Sequence, residues 1–527
     1  MTKLSFAFVI LFASFAQAQV FKNISTTQSG LGFTNHYDTS KISQPVKVAI
    51  FDKGFEGYKA EIGQSLPANT VYVPGPVKAP DDMKTEHGLR MAQIFTALAT
   101  NNLRNSQVVH EFYLYNVYGH TNFKAAVDDA IKRGIDVISY SEVWEYGGNN
   151  DGRGFINAEV TRATQAGIIW VNAAGNFART TYNGDINTVT DDWVKLPDQN
   201  NALSIRCEQN KAGKCLIKAV LSWNDFKDDV APGTDKDLDL ALTDDLLNIV
   251  QTSALHQSAD ENESRGGYSK YPREILTAEL KPGVYFLRVK NRSKNFTAKD
   301  KLRITVDGES ITMPRATPAE SLLNPGDNPS VITVGALDSD RSSMSAKLGK
   351  PDIMAPSSMI LQTGAEFRGS SNATAIVAAG VALLKAKNPN ATKAEILSAI
   401  SKPFSWDQGA LSLNYLRFQP ANGATCFNSR EWPEAPDYIK QVLSVGGSLV
   451  ETTVQYRIMV PFDPAILAAN QQRQYMDDMV IVMPNGNYHI VRRLSPIPQG
   501  AVEIFQRPLE TGLCNLPAKR TGKMFRM

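Results

Sequence analysis

Hydrophobic positions in the first part of the chain alternate between short unbroken runs and longer runs with helical spacing. Val46–Asp52 (VKVAIFD) is apolar almost throughout, as in a strand covered on both faces. Glu86–Thr100 (EHGLRMAQIFTALAT) carries Leu89, Ala92, Ile94, Phe95 and Leu98 at helical spacing. Val108–Val117 predicts a strand and Asn122–Gly134 an amphipathic helix ended by glycine. Ile135–Ser141 predicts a buried strand and Phe155–Gly167 a helix, and Ile168–Asn176 a strand that stops in a small-residue turn. This alternation implies a parallel, doubly wound α/β sheet.

The pattern then changes. From about Trp193 to Asp307 short alternating runs predominate, among them Cys215–Trp223, Asp237–Asp244, Gly283–Lys290 and Lys301–Asp307, and they predict an inserted antiparallel β-sandwich. The α/β pattern returns with Pro329–Asp340 and Lys350–Ser358. It continues into Phe367–Lys387, a Gly-Ser-Ser turn leading into a helix of small and β-branched residues, and Thr392–Lys402, a helix capped by its threonine. Beyond about Pro420 runs such as TTVQYRIMVPF and MVIVMPNGNYHIV, the latter hairpin-like about Asn485-Gly486, suggest a C-terminal β or α+β domain. The expected divisions are 1–18, an arm 19–45, the α/β domain in two parts 46–192 and 313–419, the insert 193–312, and the C-terminal domain 420–527.

Composition and charge narrow the partners. The chain has 527 residues, 43% hydrophobic and 20% charged, enough for several buried cores. Net charge is +2 without a basic block, so nucleic acid is not an expected partner. Lys3, the apolar run Leu4–Phe15 and Ala16-Gln17-Ala18 form an export-signal pattern, with the mature chain starting at Gln19. No later run predicts an integral membrane segment, and the expected location is secreted, either extracellular or periplasmic. Export permits disulfides. Among three connectivities of four cysteines, pairing Cys207 with Cys215 and Cys426 with Cys514 is the most economical.

The candidate chemistry begins at Ser371. A serine at a helix start is ordinarily a cap, but it can also present its Oγ to a substrate where backbone N–H groups are unpaired. Asp52 ends the first core strand, His87 opens the next helix, and Asn176 ends a strand in AAGN. The helix N-terminus is expected to disfavour imidazolium and keep His87 a neutral base. Asp, His, Asn and Ser in that order on a parallel sheet match the chain order of subtilisin.

The sequence resembles the subtilase family of serine peptidases. VAIFDKGF looks like the family's aspartate motif, EHGLRMAQI its histidine motif, WVNAAGNF its oxyanion-asparagine motif and GSSNATAIVAAG its serine motif. PSVITVGALDSD, PDIMAPS and GALSLNYL are similar to flanking stretches. The resemblance implies a subtilisin-like fold and a serine endopeptidase acting on protein or peptide substrates. It gives Ser371 the role of nucleophile, His87 general base, Asp52 orienting acid and Asn176 oxyanion donor. It assigns substrate contact to Ser139, Tyr140, Ser141 and Glu142, and to Ala173, Ala174 and Gly175. No cofactor is required by this chemistry. The alternative is a catalytically silent subtilase-fold protein whose β domains bind protein or glycan.

Departures from the family pattern fall at Lys53, Leu89, Asn372, Ala375-Ile376 and Glu142-Val143. Glu142 beside the substrate edge suggests a preference for basic side chains. TDKDLDLALTDD (Thr234–Asp245) places Asp235, Asp237 and Asp239 at every second residue. One reading is a calcium wall and the other a solvated strand face. The arm is shorter than the family's usual inhibitory pro-domain, so folding without one is expected.

Overall fold

The computed structural model describes residues 20–33, 36–37, 42–78, 85–100, 106, 108–259, 266–403 and 409–411. It also describes the strands Val454–Met459, Met476–Val482, Tyr488–Leu494, Glu503–Pro508 and Met524–Arg526. The export-signal segment, Cys426, Cys514 and the Asn485-Gly486 turn lie outside the described residues.

Nine strands form the central sheet, in the order Thr70–Val73, Val109–Asn116, Val46–Asp52, Val137–Tyr140, Ile169–Ala173, Ile332–Ala336, Ile353–Ala355, Gly409–Leu411, Ser401–Pro403. All neighbours are parallel except the last pair. Alternate residues of Val46–Asp52 enter different cores. Val48 and Ile50 pack with the helices His87–Ala99 and Ser370–Lys387, whereas Ala49 and Phe51 pack with Gly119–Arg133 and Phe155–Gln165. Both faces are therefore covered, as the unbroken apolar run requires. The helix Gly119–Arg133 begins ahead of the Asn122 expected from its pattern.

Register aligns the strand ends. Asp52 pairs with Asn116, Phe51 with Tyr140, Tyr140 with Asn172, and Ala173 with Val334. Asp52, Ser141 and the Ala173–Asn176 turn thus share the C-terminal edge of a parallel sheet, where α/β folds place their ligand crevices.

Ser370–Lys387 crosses this sheet almost wholly buried, its Ala373, Ala375, Ala378, Ala379 and Gly380 admitting close neighbours. The next helix, Lys393–Ile400, starts in a reciprocal cap: Glu395 N–H donates to Thr392 Oγ1 and Thr392 N–H donates to Glu395 Oε2.

The arm is more ordered than its polar composition suggests. It forms the helix Ile24–Leu31, and Phe21, Ile24 and Phe33 enter the core of the serine helix. Backbone bonds tie Lys22 N–H to Ile360 O and Gln362 N–H to Val20 O.

The inserted segment starts earlier than its composition suggests, at the strand Thr181–Asp185. It contains an antiparallel four-stranded sheet and an antiparallel five-stranded sheet. Apolar residues of both sheets meet in one separate core, with Trp223, Leu240, Leu287 and Ile304 buried in it. The disulfide Cys207–Cys215 spans 5.8 Å between Cα atoms and joins one sheet to the other. In the C-terminal region Met476–Val482 and Tyr488–Leu494 pair antiparallel.

Candidate active site

Helix, strand and loop meet tightly at Asp52 and His87. Thr85 Oγ1 accepts the His87 N–H at 3.1 Å, and Gly54 O accepts the Leu89 N–H at 3.0 Å, so the helix start is locked to the strand end. Gly88 permits the approach: a Cβ there would lie 2.5 Å from Asp52 Cβ.

Asp52 is fully buried. Its Oδ1 accepts N–H bonds from Lys53 at 2.8 Å and Gly54 at 3.2 Å, and its Oδ2 lies 2.8 Å from His87 Nδ1. A carboxylate oxygen accepts, so Nδ1 carries the proton and Nε2 is left for the cleft.

Glu142 adds a second carboxylate. Its Oε1 lies 3.8 Å from His87 Nδ1, and its Oε2 pairs with Lys53 Nζ at 3.0 Å. Burial pulls the His87 imidazole down, but the Asp52 charge and hydrogen bond, with Glu142 beyond, outweigh it and raise it to about 9. This runs against the expectation of an imidazole kept neutral by the helix N-terminus, because Asp52, with Glu142 beyond it, outweighs burial. Burial and the neighbouring Asp52 charge likewise push Glu142 upward against the pull of Lys53. Glu142 does not stand open to a basic substrate side chain, since Lys53 already holds it.

Ser371 stands at the start of its helix, behind Gly369 and Ser370. Its Oγ donates to Ser141 O at 3.0 Å, and Ser141 Oγ donates back to Ser371 O at 3.1 Å. The substrate-edge segment and the serine loop are therefore bonded to each other. Asn176 is oriented from the same loop: Ser370 N–H donates to its Oδ1 at 3.0 Å, leaving Nδ2 as a donor. Gly369 adopts φ 151°, and a Cβ there would lie 2.9 Å from that Nδ2. Ser370 Oγ accepts Gly175 N–H at 3.1 Å, fixing the AAGN turn.

These contacts bring Asp52, His87, Ser141, Glu142, Gly175, Asn176 and Ser371 to one edge. Ser139, Tyr140, Ala173 and Ala174 are buried, and the Tyr140 hydroxyl accepts the Trp144 indole N–H at 2.7 Å. They support the edge from beneath.

Across residues 43–286 and 291–405 the chain matches the model of the subtilase family, Peptidase_S8. The chain belongs to the subtilase family. Subtilases are serine proteases, and the Asp52, His87, Asn176 and Ser371 motifs all lie inside the matched residues. No curated protein matches the sequence. Among solved structures, the Clostridium perfringens CspB protease is 13% identical with TM-score 0.46, covering 75% of this subtilase and 98% of its own chain. The nisin leader peptidase NisP from Lactococcus lactis is 16% identical with TM-score 0.36, covering 76% and 93%. MycP1, a serine protease of the type VII (ESX-1) secretion system, is 14% identical with TM-score 0.34, covering 76% and 94%.

The acidic stretch of the insert lies apart from this edge. Asp235 Oδ1 accepts Ala259 N–H, Asp237 Oδ2 meets His256 Nδ1 at 2.9 Å, and Asp239 pairs with Arg292. Each carboxylate has its own protein partner. Asp237 is buried, so the stretch is not a uniformly solvated face.

Sequence reasoning missed the Lys53–Glu142 pair. Its signal was two charges of opposite sign at two departures from the family motifs. The reciprocal serine bonds carried no such signal, because serine is unremarkable in either loop.

Proposed function

We propose that this subtilase is an exported serine endopeptidase. Ser371 Oγ attacks the substrate carbonyl after turning from Ser141 O toward His87 Nε2. His87 takes the hydroxyl proton at Nε2 and returns it to the leaving amine. Asp52 holds the tautomer and stabilises the imidazolium. Asn176 Nδ2 and the Ser371 N–H donate to the oxyanion, a contact whose loss typically costs about 100- to 1000-fold in turnover. The substrate is an extended protein or peptide segment laid along the edge at Ser141–Glu142, with Ser139 and Tyr140 supporting it from beneath. Hydrolysis by these groups needs no cofactor, and a role for calcium at Asp235, Asp237 and Asp239 would be confined to the insert. We read the two sheets of the insert as a β-sandwich domain and the C-terminal strands as a further β-rich domain.

The observation that carries this reading is the 2.8 Å Asp52–His87 bond at the sheet edge that also bears Ser371 and Asn176. Export rests on the signal pattern of residues 1–18. No helix among the described residues is long and apolar enough to cross a membrane.

One observation favours the silent-scaffold reading: Ser371 Oγ is bonded to Ser141 O rather than to the imidazole. Catalytic hydrogen bonds often tighten only when substrate arrives, so this bond does not exclude activity. A fluorophosphonate probe decides between the two. The expected result is labelling of wild type and none of Ser371→Ala. An unlabelled wild type would leave the scaffold reading standing.

A further inference from the structure

The Lys53–Glu142 pair lies beside the imidazole rather than in an open pocket. Glu142 Oε2 is held by Lys53 Nζ at 3.0 Å, and Oε1 faces His87 Nδ1 from 3.8 Å. The Nδ1 proton already goes to Asp52 at 2.8 Å, so Glu142 is outside hydrogen-bond reach and acts by charge. Its side chain is only 18% exposed, so solvent screens that charge weakly. Lys53 follows Asp52 directly, and Glu142 follows Ser141, which bonds the serine loop. The pair thus joins the strand end bearing Asp52 to the loop that touches Ser371.

We propose that Glu142 and Lys53 are positioning residues for His87: Glu142 supplies a second negative charge to the imidazole, and Lys53 holds that carboxylate and tempers its charge. The inference deepens the endopeptidase reading and rests on it. Among the described residues, the charged groups that act on His87 are Asp52, Glu142 and Lys53, and others near this edge have partners of their own. Asp52 and Lys53 face it from the strand end, and Glu142 from the substrate edge. On its own helix Glu86 and Arg90 pair with each other. Arg368, before the serine helix, is held by Glu366, and Glu145 by Lys218.

Opposite charges on one imidazole predict opposite shifts. Removing the Glu142 charge leaves Lys53 unopposed, which disfavours imidazolium. Removing Lys53 leaves Glu142 unopposed, which favours it. His87 must be neutral to accept the serine proton, so the acid limb of kcat/KM follows its ionisation. Glu142→Gln is expected to move that limb to lower pH by roughly half to one unit, and Lys53→Met to move it to higher pH by a similar amount. The double variant returns near wild type.

The same titration is read without catalysis by NMR of the His87 ring in the Ser371→Ala background, assigned by the signal lost in His87→Gln. Opposed shifts in the two single variants support the proposal. A limb and ring signal that stay in place, or move the same way in both variants, overturn it, because a merely structural pair would lower the melting temperature alone. Lys53→Gln replaces Lys53→Met if the latter does not fold. If wild type fails to label with fluorophosphonate, the enzymatic reading falls, and the ring titration still decides the Glu142–Lys53 inference.

Discussion

At Gly88 a single hydrogen separates a working contact from a clash. A methyl group there would lie 2.5 Å from Asp52 Cβ and 2.7 Å from Gly54 O, both on rigid backbone or its first side-chain atom. Gly88→Ala is therefore expected to push the helix start away from the strand end, lengthen the Asp52–His87 bond and reduce kcat/KM at least about 100-fold. Steady-state kinetics beside a melting curve check this, and a variant that keeps full activity would show that the contact yields. Asp52, His87, Asn176 and Ser371 were legible one by one, because each residue type stands at a strand end or helix start. The ionisation of His87 was not legible. It depends first on the Asp52 charge and hydrogen bond and then on Glu142, which is distant in sequence and reaches Nδ1 only through the pairing of neighbouring strands.

The raised imidazole also has a consequence for stability. Its folded value of about 9 lies above the ordinary 6.5. The stabilisation is thus fully present below pH 6.5 and is lost as pH rises through about 9. Activity runs the other way, because catalysis needs the neutral form.

Among the elements, the insert shows what pattern reveals and what it hides. Alternating residues revealed Cys215–Trp223 and Lys301–Asp307 as strands, and these two pair in register from Leu302–Trp223 to Asp307–Lys218. The first strand, Thr181–Asp185, was hidden because TYNGD is mostly polar and only partly buried. The acidic stretch divided its carboxylates among His256, Arg292 and the Ala259 backbone, and no spacing rule foretells those partners. The Cys207–Cys215 bridge was legible from its short polar loop. Replacing both cysteines with serine is expected to destabilise the insert by about 2–3 kcal/mol on the chain-entropy argument. Denaturant unfolding of the pair variant measures this, and an unchanged midpoint would mean that the two sheets hold each other without the bridge.

The insert is also latched to the catalytic part. Asn149 and Phe226 exchange two bonds at 2.9 Å, Asp228 Oδ1 accepts Gly154 N–H at 2.8 Å, and the Arg273 guanidinium lies 4.0 Å from the Tyr146 ring centre. All three contacts fall just beyond the substrate edge, so the insert braces the segment that follows Glu142.

For the whole molecule the arm belongs to the folded unit. Phe21, Ile24 and Phe33 are buried in the core shared by the histidine and serine helices. Gln28 Nε2 donates to Ala97 O at 2.7 Å and the Tyr37 hydroxyl to Leu98 O at 2.8 Å, both at the far end of the histidine helix. A chain beginning at Gln19 is expected to fold and label without a separate pro-domain. A chain beginning at residue 42 forfeits three buried apolar side chains, roughly 1.5–3 kcal/mol each. Its melting temperature and labelling should both fall. If it matches the longer chain in both, the arm is dispensable.

The main strand–helix alternation, the parallel sheet and the four candidate motif residues were legible in the sequence alone, because unbroken apolar runs, helical spacing and residue type at a terminus are local properties. The tertiary structure decided the rest. It turned a polar arm into part of the core, set Ser141 against Ser371, and placed Lys53 and Glu142 beside His87. Each of these is a contact between segments far apart in the chain, created by strand register and packing. The charge at a partly buried imidazole is the sum over such neighbours, so it became readable only when the sheet edge had brought them together.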